Sequence, residues 1–366
     1  MKQLELGVFL PIGNNGFMMS HAAPQYHPTF EHNRQIAVLA EEIGLDYVFS
    51  MSKWRGYGGD TEFWDHTLES VSLMIGLAAA TQRVGLIATV NPLLFHPAAM
   101  AKIVATADDI AGGRFGLNLI TGSAMEEYDQ MGVVPEGYAA RRYEYLSEWT
   151  TVLKRLWTEE RVTHSGEFFH LEDCMSSPKP IQVPHPRLVC AGTSGEGLGF
   201  TAREADYSFL GGNTVQMVKD ASHKAKELAA ASGRRLKTAT VINVVQRETR
   251  AEAEEYFTHL QAHADMHAIE SISATFGRQG RESSTVRAQR MNIDGVRISY
   301  AGRPVVGDAD DVAGAVTDLA VNGDLDSVLL VFPDYLDGLR RFDDGVLPLL
   351  RREFDVGFPV ATAAGP

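Results

Sequence analysis

Apolar positions along the chain fall into two alternating rhythms. Short continuous apolar runs recur. Each is followed, after a turn, by a stretch with apolar residues at every third or fourth place. The first rhythm suits strands buried on both faces, the second helices with one face on a sheet. The runs at 6–10, 46–50, 83–90, 115–120, 188–191, 207–210, 239–245 and 327–332 predict eight strands. Helical spacing predicts helices over 33–43, 67–80, 97–111, 141–157, 198–204, 215–232, 251–264, 310–321 and 336–352. Gly44 reads as a C-cap and Pro97 as a first-turn proline. Strand–helix alternation at this length predicts an α/β fold, a (β/α)8 TIM barrel forming one domain over 1–366. Two stretches break the rhythm and read as insertions, about 159–187 and 266–306. The second, rich in arginine and serine, is a candidate mobile cover.

One run carries a polar residue at its heart. The stretch 115–120 is Phe-Gly-Leu-Asn-Leu-Ile, bounded by Gly112-Gly113 and Thr121-Gly122. A buried amide without a partner costs several kcal/mol on the harshest scales. Asn118 therefore either hydrogen-bonds inside the protein or faces a ligand. Barrel active sites lie at the C-terminal ends of the strands, where Lys53, Thr89, Asn118 and Ser194 all fall. Thr89 and Asn118 end neighbouring strands. Neither is a good acid or base. They suit holding a neutral ligand edge, a water or oxygen; the plainer alternative is that each satisfies loop backbone.

Composition narrows the function classes. The chain has 366 residues, 45% of them hydrophobic, enough for a large core. Its net charge is −14, from 33 Lys+Arg against 47 Asp+Glu, which argues against non-specific binding to nucleic acid or anionic membrane. Cys174 and Cys190 are the only cysteines, so no disulfide framework is implied and a reducing cytoplasm is the expected setting. Residues 1–10 run straight into a strand without a signal-peptide pattern, and no apolar run approaches the roughly 20 residues a membrane span needs.

The remaining chemistry is uneven. Gly192-Thr193-Ser194-Gly195 is a strand-to-helix turn whose free N–H groups, hydroxyl and helix dipole suit an anion. Arg142 and Tyr143 could add a guanidinium and a phenol, although a helix cap and a surface arginine explain the same residues. The turn matches neither a P-loop nor a nucleophile elbow. His263 and His267 share a helical spacing but lack the glutamate and third ligand of a metalloprotease motif, so no metal is expected. His164, His170 and Cys174 lack zinc spacing. Cys190 reads as a small core residue. His66 is either a base or a structural hydrogen-bonding group.

Taken together, 7–16, 22–26, 55–59, 61–66, 112–122, 127–132, 141–145 and 190–192 resemble the bacterial luciferase-like flavin monooxygenases, within them the pyrimidine oxygenase branch that opens the uracil ring. The resemblance implies a (β/α)8 barrel that uses reduced FMN and O2. The flavin is supplied by a transient NAD(P)H:flavin reductase, so NAD(P)H is consumed indirectly. It assigns the flavin contacts to Ser52, Lys53, Asn118, Glu127, Arg142, Tyr143 and Ser194, and the pair beside the flavin, where oxygen binds, to Thr89 and Asn118. It also implies a homo-oligomer.

The departures fall elsewhere. Ser123, then Ala124-Met125, stands where the branch carries a tryptophan, and Val90-Asn91-Pro92 follows Thr89 where the branch has threonines and small residues. Ser52 replaces an aliphatic residue. Loss of an indole implies a larger substrate than uracil. Riboflavin, cleaved to lumichrome as by riboflavin lyase, is the leading expectation. A pyrimidine ring-opening oxygenase is the alternative, and a non-catalytic flavin-binding barrel the third. Phe17, Trp54 and Tyr57, with Ser123 and Met125, are the expected substrate contacts.

Overall fold

The structure is a computed structural model that describes residues 1–122, 124–192, 194–277 and 298–357. Eight parallel strands close on themselves: β1 (Glu5–Phe9), β2 (Tyr47–Phe49), β3 (Gly85–Val90), β4 (Phe115–Leu119), β5 (Arg187–Cys190), β6 (Tyr207–Phe209), β7 (Lys237–Gln246) and β8 (Ser327–Val331). Each pairs with the next, and β8 returns to β1. The strand period of two sorts their side chains. Leu6, Val8, Val48, Leu86, Leu117 and Leu188 face outward into the main core under the helices. Tyr47, Phe49, Ile87, Val189, Tyr207, Ala239 and Leu329 pack together inside the barrel. Gly7 fits this interior because a Cβ there would lie 2.7 Å from the Tyr47 ring. Two steps beyond Ile87, on the same inward face, stands Thr89. Asn118 lies opposite it in register.

All eight expected strands are present, with helices between them. The differences are local. The helix expected at 33–43 is Phe30–Glu42, because Thr29 caps it by accepting from the His32 N–H at 3.1 Å. The helix expected at 67–80 is Ser70–Ala80, capped by the Glu69 carboxylate. The stretch 159–187 holds an antiparallel pair, Val162–Ser165 with His170–Cys174. Within 266–306 lie the helix Met266–Gly277 and a strand, Arg303–Gly307, that pairs with the far half of β7. Its short Arg-Pro-Val-Val-Gly run gave no strand period to read. The expected cover falls mostly on 278–297, outside the described residues. No helix among the described residues is long and apolar enough to cross a membrane.

The N-terminal end of the barrel is closed by polar groups. The Glu5 carboxylate accepts from the Tyr207 hydroxyl at 2.7 Å and from Lys237 Nζ at 2.5 Å. Beside it the Asp46 carboxylate accepts the Leu6 N–H at 2.8 Å, and its other oxygen is buried with no partner among the described residues. Burial, with the Leu6 bond opposing it and Glu5 adding to it, pushes the Asp46 carboxyl up to about 8. The folded state thus holds a proton that the unfolded chain releases near its ordinary value of 3.8. Stability should fall as pH rises across that window. Asp46→Asn keeps an acceptor for Leu6 and has no proton to lose. Urea unfolding should find the variant the more stable at pH 8 and the two proteins nearly equal near pH 4. Parallel curves would refute this.

Candidate active site

At the C-terminal ends of the strands lies a cavity of about 290 Å³. Aromatic rings line much of it: Phe9, Phe17, Phe49, Tyr57, Trp64, Tyr128, Phe209 and Tyr300. Thr89, Asn118, Ser52, Lys53 and Glu127 supply polar atoms. Thr89 Oγ1 donates to the Ser50 carbonyl at 2.5 Å, and Asn118 Nδ2 donates to Thr89 Oγ1 at 3.0 Å. The plainer reading therefore holds for Thr89, which does satisfy backbone. It does not hold for Asn118, whose Oδ1 is buried with no partner among the described residues.

Lys53 and Glu127 form a second polar element. Their side chains are 5% and 6% exposed, with Nζ 2.5 Å from Oε1. The other Glu127 oxygen accepts the Trp54 N–H at 2.9 Å. Lys53 Nζ also stands 4.0 Å from the centroid of the Tyr57 ring. Burial pulls the Lys53 ammonium below the ordinary lysine value, with Glu127 as the main opposing influence. The Glu127 carboxylate is brought into place by the short helix Glu126–Asp129, too brief to show a period in the sequence.

A third element lies at the start of the helix Gly195–Glu204. Ser194 caps it, its hydroxyl accepting the Gly197 N–H at 3.1 Å. Gly192 and Gly197 touch backbone to backbone; a Cβ on Gly192 would sit 2.8 Å from the Gly197 Cα. The Tyr143 hydroxyl packs on Gly197, and a Cβ there would meet it at 2.3 Å. Burial raises the Tyr143 phenol, with Ser194 and Arg142 opposing the shift. Arg142 reaches the Gly122 carbonyl at 3.4 Å, while its Nε is buried with no partner among the described residues.

Of the expected substrate contacts, Phe17 and Tyr57 line the cavity. Trp54 stands outside it, 38% exposed, donating to Ser52 Oγ at 3.2 Å and lining an adjoining cleft with His27 and His66. An aromatic in a glycine-rich loop gives no sign of which way it faces. Met125 precedes the Glu126–Asp129 helix and is not on the cavity wall. Ser123 lies outside the described residues. Tyr300 and Trp64 were missed. The Tyr300 ring centroid is 4.3 Å from that of Trp64, and its hydroxyl is 3.1 Å from that of Tyr57. Tyr300 follows a stretch with no period, so nothing local marked it. Trp64 was hidden in a loop, where its φ of 64° and a 2.6 Å bond to the Gly16 carbonyl fix it.

The other candidates are structural. Burial raises the Cys190 thiol, which makes it a poor nucleophile. His164 bonds Glu148, which also collects the N–H groups of Glu167, Phe168 and Phe169. His267 meets Asp60 at 3.0 Å, not a metal-type partner on its own helix. Among the described residues His21, Asp60 and Asp265 bring donor atoms within 4.8 Å of one another at the rim. Asp265 is already occupied by the Thr61 and Ala268 N–H groups.

The sequence profile of the luciferase-like monooxygenase family matches residues 4–325. The chain belongs to that family. It is a flavin-dependent monooxygenase. The luciferase-like enzyme is 42% identical over 352 residues to a pyrimidine monooxygenase RutA of Methylorubrum extorquens, covering 95% of this chain and 93% of the relative. To RutA of Variovorax paradoxus it is 39% identical over 369 residues, covering 99% and 98%. Among solved structures it superposes on riboflavin lyase RcaE with a TM-score of 0.82 at 23% identity, over 96% of this chain and 92% of that one. DmoA from Hyphomicrobium sulfonivorans gives 0.82 at 19% identity, over 96% and 88%. These two likenesses are of fold.

Proposed function

We propose that this enzyme is an FMN-dependent oxygenase that opens the ring of a pyrimidine of uracil or thymine size. One observation carries the reading: an unpartnered buried acceptor, Asn118 Oδ1, at the floor of a compact aromatic cavity. About 290 Å³ is at the low end for a pocket that takes one small ligand. Here it must admit a flavin edge and a substrate together, which favours a single small ring. The named relatives at 39–42% identity reverse the order of the two sequence-based expectations, since both are pyrimidine monooxygenases and riboflavin lyase is similar in fold alone.

The residues present fit FMN. Its phosphate suits the helix start at Ser194, where Arg142 and Tyr143 add a guanidinium with an unpartnered Nε and a phenol. Ser52 and the Lys53–Glu127 pair line the cavity that would receive the ring. When bound and reduced, the flavin supplies the electrons and the activation of O2. The chain's own part is positioning and exclusion of water. Thr89 and Asn118 would hold the reacting edge, while Phe17, Tyr57, Trp64 and Tyr300, which line the cavity, would keep water away. The flavin must arrive reduced, so a separate NAD(P)H:flavin reductase is proposed as transient partner.

Purified protein, FMN, a flavin reductase, NADH and air should be offered uracil, thymine and riboflavin. Loss of uracil with a ureidoacrylate-type product by mass is the expected result. Lumichrome from riboflavin, with uracil untouched, would reinstate the larger substrate. No turnover of any heterocycle would leave a flavin-binding barrel without catalysis.

A further inference from the structure

We infer that Ser50 and Ser70 are positioning residues that fix which end of the Asn118 amide faces the cavity, leaving there an acceptor for a ligand N–H. The available protons decide the orientation. A carbonyl oxygen only accepts, so the Thr89 hydroxyl, 2.5 Å from the Ser50 carbonyl, must direct its single proton there. Thr89 Oγ1 can then only accept from Asn118, and the atom 3.0 Å away is the amide nitrogen. The opposite amide orientation would set lone pairs against lone pairs in a buried place. The Asn118 oxygen is thereby turned inward with no partner among the described residues.

The serines hold the Ser50 carbonyl where this works. The Ser50 N–H donates to Ile87 O at 3.0 Å. The Ser50 and Ser70 hydroxyls meet at 2.6 Å, and Ser70 Oγ also accepts the Thr89 N–H at 2.8 Å. Ser70, the first residue of the helix Ser70–Ala80, thus grips the ends of β2 and β3 at once. Neither serine lines the aromatic cavity, and both are buried. Their influence on a ligand passes through Thr89 and Asn118.

What the acceptor recognises is an N–H group. The inference rests on the proposed function only for who carries it: reduction adds N–H to the central flavin ring, and uracil bears ring N–H groups of its own. Oxidised FMN lacks the central-ring N–H, keeping only the one on its pyrimidine ring, and is the control. Two readouts test the proposal on the whole ligand-free chain and on its complexes, using Ser70→Ala and Ser50→Ala.

In protein labelled with ¹⁵N-asparagine, native Asn118 should show one protected amide proton with a contact to the Thr89 methyl and one that exchanges faster. Either serine variant should bring the two rates together. Anaerobic titrations should show Ser70→Ala weakening reduced FMN, or uracil added to the FMN complex, by about three- to tenfold, the size of one neutral hydrogen bond. Oxidised FMN should change less than about twofold by the same reckoning. The arm that weakens names the bearer of the N–H. Unchanged amide protons in both variants would overturn the positioning role. An equal loss for oxidised and reduced FMN with uracil unmoved, or no loss in either arm, would overturn the recognition. If the native protein binds neither FMN form while the amide signal still responds, the proposed function fails and the positioning stands.

Discussion

Asn118→Ala is expected to abolish oxygenation while keeping FMN affinity within about tenfold, or 1.4 kcal/mol. The variant removes one donor to Thr89 and one free acceptor. Neutral hydrogen bonds contribute about 0.5–1.5 kcal/mol each, so the loss to binding is bounded. Ser194, Arg142 and Tyr143, proposed to hold the phosphate, lie on other elements and are untouched. Thr89 keeps its bond to the Ser50 carbonyl, so the strand ends stay in place. Rate is more sensitive than affinity, because a displacement of an ångström at the reacting edge costs on the order of 10²-fold. Flavin fluorescence titration and product formation under air measure the two effects separately. Unchanged turnover would remove Asn118 from the mechanism. A loss of turnover matched by an equal loss of affinity would make it a binding residue only.

That Asn118 must meet a polar partner or a ligand was legible in the sequence because it interrupts a run that should be wholly apolar. Thr89 was legible as a polar residue near the end of the neighbouring apolar run, but that it stands opposite Asn118 in register is set by the fold. The barrel itself was legible because strand and helix periods alternate without long gaps. What could not be read is whatever depends on residues brought together by closure. Tyr300 reaches Trp64 and Tyr57 from more than two hundred positions away, and its own neighbourhood has no period. Trp54 was an expected substrate contact, yet the loop leaves it 38% exposed and outside the cavity. Ser70 was read as part of a helix that the sequence began too early. Its use as a clamp depends on meeting Ser50 and Thr89, and only the fold sets that meeting.

Glu127→Ala should destabilise the protein by about 3–5 kcal/mol near neutral pH, the range for leaving a buried charge without its partner. Lys53 Nζ would lose the carboxylate at 2.5 Å, and the Trp54 N–H would lose its acceptor at 2.9 Å. With the main influence that props up the ammonium gone, burial would lower the Lys53 value further. The unfolded chain then binds a proton that the folded one has shed, so stability of the variant should rise as pH climbs toward the ordinary lysine value. The native protein should show less of this rise. Replacing both partners by apolar side chains of similar size, Lys53→Met with Glu127→Leu, should recover much of the loss, because a paired and desolvated couple gives little net stability. Urea unfolding of the three proteins near pH 7 and pH 9 decides the matter. If Glu127→Ala and the double variant unfold at the same urea concentration, the two side chains do not act as one buried unit. If the double variant is stable yet still binds flavin as the native protein does, the pair serves the fold alone. The expected outcome is a stable double variant with weakened flavin binding. That result would explain why a costly ion pair stands in the wall of this cavity.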